Sequence, residues 1–396
     1  MIGAGPAIAD INVADPVPGA TLLFPYFEVD LASSTSRNTL LSWHASGASA
    51  LLTHVTVWTD LGYPVLSFNV YLTGYDVVSF DLRDALQNGN LPVTASAGQD
   101  PTNTISPKGP YSQDINYASC NGQIPYPRPV LNPSYAGDLR AVLSGGPASY
   151  LSGKCAGFNH GDAIARGYVT VDTVNNCTQR VPGNAGYFGN GDATNQNSLV
   201  GEYFLVDKGN ALMHQGEGVA LEASGSDPRT STSGNYTFYG RQVSWDASDN
   251  REPLPTTWAI DTTAERTDAI VWRDPKVPVS PFTCGTSYPA GFPLGQESAL
   301  LFDNQELPQA MSPAAPFPLA AQRVTLGLPA SGKSAWAYLG LSYLSPDAGS
   351  VPPADQAADQ AYVAVLQYPE SGITSTGSGA ISLDSGQNAR HVHPNP

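Results

Sequence analysis

The strongest constraint on the fold lies between residues 65 and 82, where every second side chain is large and apolar. The first run contains Leu66, Phe68, Val70 and Leu72, and a second run after a short turn contains Val78, Phe80 and Leu82. Successive side chains of a β-strand point to opposite faces, so this spacing predicts strands with one buried face.

Similar runs define the other predicted strands, at residues 21–30, 39–44, 51–58, 166–174, 201–206, 218–223, 236–245, 258–261, 269–273, 300–302, 322–328, 335–344 and 361–368. A turn of small residues at 45–49 predicts a hairpin between its two neighbouring strands. Helical character is limited to short segments at 81–86 and 138–143, and 39 glycines and 34 prolines disfavour long helices. We therefore predict an all-β protein with antiparallel, sandwich-like sheets, long Gly/Pro-rich loops and little helix.

The spacing of the strands predicts five segments along the chain. Residues 1–9 match the end of a signal peptide, and residues 10–88 form an N-terminal β-sheet unit. A loop-rich excursion at 89–164 precedes a second β-rich unit at 165–369, and residues 370–396 form a flexible tail or an extended arm. A loop as long as this excursion is uncommon unless it is functional or cross-linked.

Two features predict a secreted, extracellular or cell-surface protein. Ala7-Ile8-Ala9 matches a signal peptidase site, with Asp10 as the start of the mature chain. An even number of cysteines in a secreted chain predicts two disulfides, with three pairings open. These cysteines are Cys120, Cys155, Cys177 and Cys284, and their positions predict that the bridges fasten loops rather than the core.

The charge balance excludes several classes of partner. The chain has 34 acidic and 18 basic residues, a net charge of −16, which disfavours nucleic acid and anionic membrane surfaces. It has no apolar run of about 18 residues, so we expect no membrane insertion. Charged residues make up only 13% of the chain, so neutral polar side chains must form most of its surface.

Two loops rich in oxygen ligands suggest calcium as a structural cofactor. Ca²⁺ prefers carboxylate and carbonyl oxygens in flexible loops, although the same residues are common in turns that bind no metal. The candidate ligands are Asn184, Asn190, Asp192 and Asn195 in one loop and Asp246 and Asp249 in the other.

One segment matches the nucleotide-binding P-loop pattern, and we interpret the match as chance. Its characteristic residues are Gly327, Gly332, Lys333 and Ser334. A P-loop must be followed by a helix whose N-terminus faces the phosphates. The sequence after Ser334 is aromatic and predicts a strand, and too few residues follow for a nucleotide-binding sheet.

The candidate catalytic residues are single histidines and a group of carboxylates. His160 lies beside Gly161, which would let a ligand approach, and a nearby carboxylate could make it a general base. His54 and His214 lie in or near strands, where a histidine is more commonly structural. A glycosidase pair could come from Glu202, Asp207, Glu217 and Glu222. In the tail, His391 and His393 form an H-x-H pair that could bind a metal but has no third ligand beside it.

These observations favour a non-catalytic extracellular protein, either a structural surface protein or a subunit that forms filaments with itself. In this hypothesis a terminal segment pairs with a sheet edge of a neighbouring copy. The alternative is a secreted polysaccharide-active hydrolase or a carbohydrate-binding module, since 19 tyrosines and 6 tryptophans could stack on sugars. Whether the protein is an enzyme stays open.

Overall fold

The computed structural model describes residues 17–94, 117–124, 126, 130–210, 212–244, 248–262, 266–275, 277–312, 316–327, 334–342, 359–368 and 376–383. In chain order the strands of these ranges are β1 (Thr21–Asp30), β2 (Arg37–Ala45), β3 (Leu51–Thr59), β4 (Pro64–Leu72), β5 (Val77–Asp81), β6 (Ile164–Val174), β7 (Leu199–Asp207), β8 (Leu212–Glu217), β9 (Val219–Leu221), β10 (Thr257–Asp261), β11 (Arg266–Arg273), β12 (Ser298–Asp303), β13 (Pro308–Ala310), β14 (Ala321–Leu326), β15 (Ser334–Gly340), β16 (Ala361–Tyr368), β17 (Thr376–Gly379) and β18 (Ile381–Ser382). The α-helices are α1 (Leu82–Asn88), α2 (Pro133–Leu143) and α3 (Pro228–Ser231). The strands pair antiparallel, which confirms the predicted all-β class.

These strands form four sheets, which we call sheets I to IV. Sheet I has the order β4-β3-β6-β1-β9, and sheet II has the order β5-β2-β7-β8. Sheet III has the order β14-β11-β16-β17, and sheet IV has the order β13-β12-β15-β10-β18. Because β6 lies between β3 and β1, sheet I joins strands from both sides of the predicted excursion at 89–164.

The four sheets form layers in the order II, I, III, IV. Sheets I and III are therefore buried on both faces. Leu22 and Phe24 of β1 reach across to Gly201 of β7 in sheet II, while β1 also contacts β11 and β14 of sheet III. Ile270 of β11 packs in the core shared with sheet I, whereas its neighbour Val271 packs in the core shared with sheet IV. A continuous apolar run is typical of a strand buried on both faces, and β1 contains such a run at residues 22–27.

A fully buried arginine joins sheet I to the loops beside it. The Arg251 guanidinium lies 3.5 Å from an oxygen of Asp172 on β6 and 3.3 Å from an oxygen of Asp249. It also donates to the Thr194 carbonyl at 3.0 Å, and Tyr187 Oη donates to Asp172 at 2.7 Å. Buried charges are tolerated when they are paired and hydrogen-bonded, so these contacts allow the charges to lie in the core.

The predicted hairpin at residues 45–49 is wrong, because β2 and β3 lie in different sheets. Strand β2 pairs with β5 and β7, whereas β3 pairs with β4 and β6. Turn residues let the chain reverse direction, but they do not decide which strands pair. Here the turn carries the chain from sheet II to sheet I.

The predicted strand at 236–245 is also wrong, since its described part, residues 236–244, contains turns and no strand. The Gly240 N–H donates to the Thr237 carbonyl, a local bond typical of a turn. The aromatic side chains that suggested a strand are buried in this irregular segment, and they are Tyr236, Phe238 and Tyr239. Aromatic residues favour strands because strands are half-buried, and here loop packing buries them instead.

Two disulfides are present, as predicted, and they pair Cys120 with Cys177 and Cys155 with Cys284. The first joins the excursion to the segment after β6, and the second joins it to the segment after β11. Both bridges therefore fasten loops to the layered sheets. In the described ranges, no helix has the length and apolarity needed to cross a bilayer.

Candidate functional site

The edge of sheet I formed by β4 is covered by side chains rather than by another strand. In an antiparallel edge strand, alternate residues direct their main-chain groups away from the neighbouring strand. Tyr135 Oη donates to the Val65 carbonyl at 2.7 Å, and the Asn69 N–H donates to Tyr126 Oη at 2.7 Å. These contacts protect an edge that could otherwise pair with another chain.

A cleft of about 680 Å³ opens beside this edge. Its walls come from β4, from the excursion, from the loop at 179–184 and from Gln242, Pro278 and Val279. Among the described residues that line the cleft, none carries a charge. The lining combines aromatic rings with amides, in particular Tyr63, Tyr126, Tyr135, Gln179, Asn184 and Gln242.

Local sequence signals fix the tyrosines of the cleft wall. Helix α2 begins with Pro133 in its first turn, and Asn132 Oδ1 caps it by accepting from the Tyr135 N–H at 2.9 Å. Tyr135 is therefore held at the start of the helix, with its hydroxyl on β4. Tyr126 lies close in sequence to Cys120, whose disulfide anchors this part of the excursion.

The described lining of the cleft stays uncharged near neutral pH. Burial raises the pKa of Tyr63, Tyr126 and Tyr135 above the ordinary value for tyrosine, so each hydroxyl keeps its proton. A charged ligand would find no opposite charge among the described residues of the lining. Aromatic faces together with amides and hydroxyls suit a neutral ligand that carries many hydrogen-bonding groups.

A second candidate site is the pair of Asp60 and His160. His160 Nε2 lies 2.9 Å from Asp60 Oδ2, and the Phe158 N–H donates to Asp60 Oδ1 at 2.9 Å. The Asp60 side chain is 1% exposed and the His160 side chain is 26% exposed. Burial raises the pKa of Asp60, and the bond to His160 opposes that rise. When Asp60 is ionised it accepts from Nε2–H, which leaves Nδ1 of His160 as a base.

Two other histidines lie in the interior of the protein. His54 is fully buried, its Nδ1 lies 2.9 Å from Asn69 Oδ1, and burial lowers its pKa. His214 is buried near Arg323, and burial followed by the arginine charge lowers its pKa to about 4. Neither position offers a histidine to an external substrate. The tail pair, His391 and His393, lies outside the described residues.

Two of the four candidate carboxylates come together. Glu202 on β7 lies directly opposite Glu217 on β8, and Gln215 Nε2 donates to Glu202 Oε2 at 2.6 Å. A glycosidase places its two carboxyl groups on facing walls of a cleft. Glu202 and Glu217 instead occupy the same face of adjacent strands. The other two candidates are elsewhere: Asp207 pairs with Arg37 at 3.4 Å, and Glu222 follows β9.

Three of the calcium candidates, Asn184, Asp192 and Asp249, lie in loops where their side-chain oxygens make other contacts. Asn184 Oδ1 accepts from a main-chain N–H of its own turn at 2.9 Å. Asp192 pairs with Arg180 at 2.7 Å, and Asp249 lies against the buried Arg251. The described part of the chain has no group of three or more His, Cys, Asp or Glu placed to hold a metal. Asn190 and Asn195 lie in the first loop, Asp246 lies outside the described residues, and a calcium site stays a prediction.

The P-loop match is described only at its two ends. Gly327 follows β14, and Ser334 is the first residue of β15. A strand therefore begins where a phosphate-binding loop needs a helix. The intervening Gly332 and Lys333 lie outside the described residues.

Part of the predicted tail pairs within its own chain. Strands β17 and β18, which lie in residues 376–382, extend sheets III and IV by pairing with β16 and β10. Pairing of a terminal segment with a neighbouring copy stays a prediction.

No protein-family model, curated protein or solved structure matches the chain. The cleft beside β4 and the Asp60–His160 pair are therefore the two features of the structure that bear on function. The sequence did not single out Tyr126, Tyr135 or Asp60, because their bonds to Asn69, Val65 and His160 span 57, 70 and 100 residues. The only local signal was the presence of tyrosines in an excursion otherwise rich in turn residues.

Proposed function

We propose that the protein is a non-catalytic extracellular protein that binds neutral carbohydrate in the cleft beside β4. The observation that carries this proposal is the uncharged lining of the described cleft in a chain whose net charge is −16. Tyrosine rings stack on the apolar faces of sugars, and amides and hydroxyls exchange hydrogen bonds with sugar hydroxyls. The overall negative field would repel a polyanionic ligand.

Two sequence-distant disulfides support the extracellular part of the proposal. Disulfides persist in oxidising compartments and are rare in the cytosol. The expected signal peptidase site at residues 7–9 agrees with this placement. An extracellular protein with a largely neutral polar surface would meet cell-wall or matrix glycans directly.

Titration calorimetry with cellohexaose, xylohexaose and mannohexaose tests the binding proposal. We expect at least one of these neutral hexasaccharides to bind, and polygalacturonate not to bind. Tyr63→Ala and Gln242→Ala each remove a group from the cleft, so each should weaken binding about five- to tenfold. Tyr75→Ala is the matched control, because Tyr75 is exposed and does not line the cleft. Unchanged binding in both cleft variants would contradict the proposal.

The Asp60–His160 pair supports a second candidate, a secreted hydrolase that uses His160 as a general base. A buried carboxylate that orients a partly exposed imidazole is the arrangement a general base needs. Among the described residues, no serine, threonine or cysteine side chain bonds to His160, so its substrate would be activated water. This candidate requires turnover of an ester or glycoside.

A panel of p-nitrophenyl esters and glycosides tests the hydrolase candidate. Both His160→Ala and Asp60→Asn should abolish turnover, whereas His44→Ala, on the open side of sheet II, should leave it unchanged. No turnover by the wild-type protein, or equal turnover by the His160 variant, would exclude the candidate.

A further inference from the structure

The main chain of Ser67 occupies a distinctive place on the β4 edge. Ser67 pairs with Thr56 of β3 and lies two residues before Asn69, so it belongs to the same outward-facing set. Each of its two neighbours in this set has one main-chain group engaged: the Val65 carbonyl accepts from Tyr135, and the Asn69 N–H donates to Tyr126. In the described part of the chain, no group bonds to the Ser67 N–H or carbonyl, and Ser67 lines the cleft.

This arrangement discriminates between kinds of ligand. An extended peptide adds to a sheet edge by forming a ladder over several alternate residues. Here the tyrosine hydroxyls occupy the Val65 carbonyl and the Asn69 N–H, so a continuous ladder is blocked on both sides of Ser67. Of these three residues, Ser67 is the one whose N–H and carbonyl are both without a partner in the described part of the chain, and the two groups point in the same direction.

We infer that the Ser67 main chain binds two adjacent hydroxyls of one sugar ring, an inference that rests on the carbohydrate-binding function proposed above. One hydroxyl accepts from the Ser67 N–H while its neighbour donates to the Ser67 carbonyl, since each hydroxyl can do either. The described lining carries no charge and so favours a neutral sugar, and the tyrosines bound to Val65 and Asn69 would lie on either side of its ring.

Ser67→Pro tests this inference because it removes the N–H without removing a ladder bond. Proline is tolerated on edge strands where the N–H faces outward. We expect Ser67→Pro to weaken binding of the hexasaccharide that binds wild type most tightly about three- to tenfold. Ser67→Ala, the matched control, keeps the main chain and should bind within about twofold of wild type.

A second measurement keeps the inference falsifiable if Ser67→Pro does not fold. In wild-type protein the amide resonance of Ser67 should shift on saturation with the same hexasaccharide, and its hydrogen exchange should slow. Unchanged binding by a folded Ser67→Pro, or an unchanged Ser67 amide, overturns this inference even if Tyr63→Ala confirms the cleft. If no hexasaccharide binds wild type, the proposed function itself fails and this inference falls with it. Tight binding of an extended peptide that Ser67→Pro abolishes would also overturn it.

Discussion

Replacing His214 with leucine should make the protein more resistant to acid. His214 lies on the inner face of β8 and is 3% exposed. Neither of its ring nitrogens has a hydrogen-bond partner among the described residues, and Arg323 lies near it. A proton on this imidazole would therefore place an unpaired charge in the core beside another positive charge.

The size of the effect follows from the pKa difference between the folded and unfolded states. Burial, and then the Arg323 charge, lowers the pKa of His214 from 6.5 to about 4. The unfolded chain binds the proton at a higher pH than the folded chain, so stability is complete above pH 6.5 and falls as the pH approaches 4. The linkage between proton binding and folding predicts that the free energy of unfolding falls by about 2 kcal/mol at pH 5 and by about 3 kcal/mol at pH 4.

Urea unfolding of wild type and His214→Leu at pH 7.5 and pH 5 measures the effect. At pH 7.5 the two proteins should have nearly equal free energies of unfolding, because the substitution breaks no hydrogen bond between described residues. At pH 5 the leucine variant should be about 2 kcal/mol more stable than wild type. His44→Leu removes a histidine from the open side of the same sheet and should show no such gain. Equal loss of stability on acidification in wild type and His214→Leu would refute the reasoning.

Three further changes test the fold. Arg251→Met leaves two buried carboxylates without their cation and should cost about 3–5 kcal/mol in urea unfolding. Arg180→Met removes a half-exposed arginine from its pair with Asp192 and should cost under about 1 kcal/mol, and equal costs would contradict the importance of burying the arginine. Replacing Cys155 and Cys284 with serine opens a disulfide between residues 129 apart in sequence. The chain-entropy model predicts a loss of about 5 kcal/mol in the free energy of unfolding, which calorimetry measures, and an unchanged transition would contradict that model here. Removing residues 376–396 exposes the edges of β16 and β10 and should promote association in light scattering and regular assemblies in electron microscopy, and a strictly monomeric variant would contradict this expectation.

The sequence predicted individual strands better than their assembly. The predicted bounds of β1 and β16 match those of the structure, because six consecutive apolar residues in each strand give an unbroken local signal. Strand β8 was missed because its run is short and contains Gly216, which lies under the Tyr203 ring. The false hairpin at 45–49 and the false strand at 236–245 share a cause. Turn chemistry and aromatic content report local shape and burial, but pairing depends on residues far away in the chain.

The cleft could not be predicted from the sequence either, because it depends on how the distant residues of the excursion cover the edge of sheet I. A further strand beside β4 would have engaged all of its outward main-chain groups and filled the space. Side chains engage only the groups that they reach: Thr94 exchanges hydrogen bonds with the N–H and carbonyl of Tyr71, and the two excursion tyrosines each engage one group. Edge protection by side chains therefore leaves both a cleft and an unused pair of main-chain groups within it. The two tyrosines that cover this edge are therefore also part of the cleft wall.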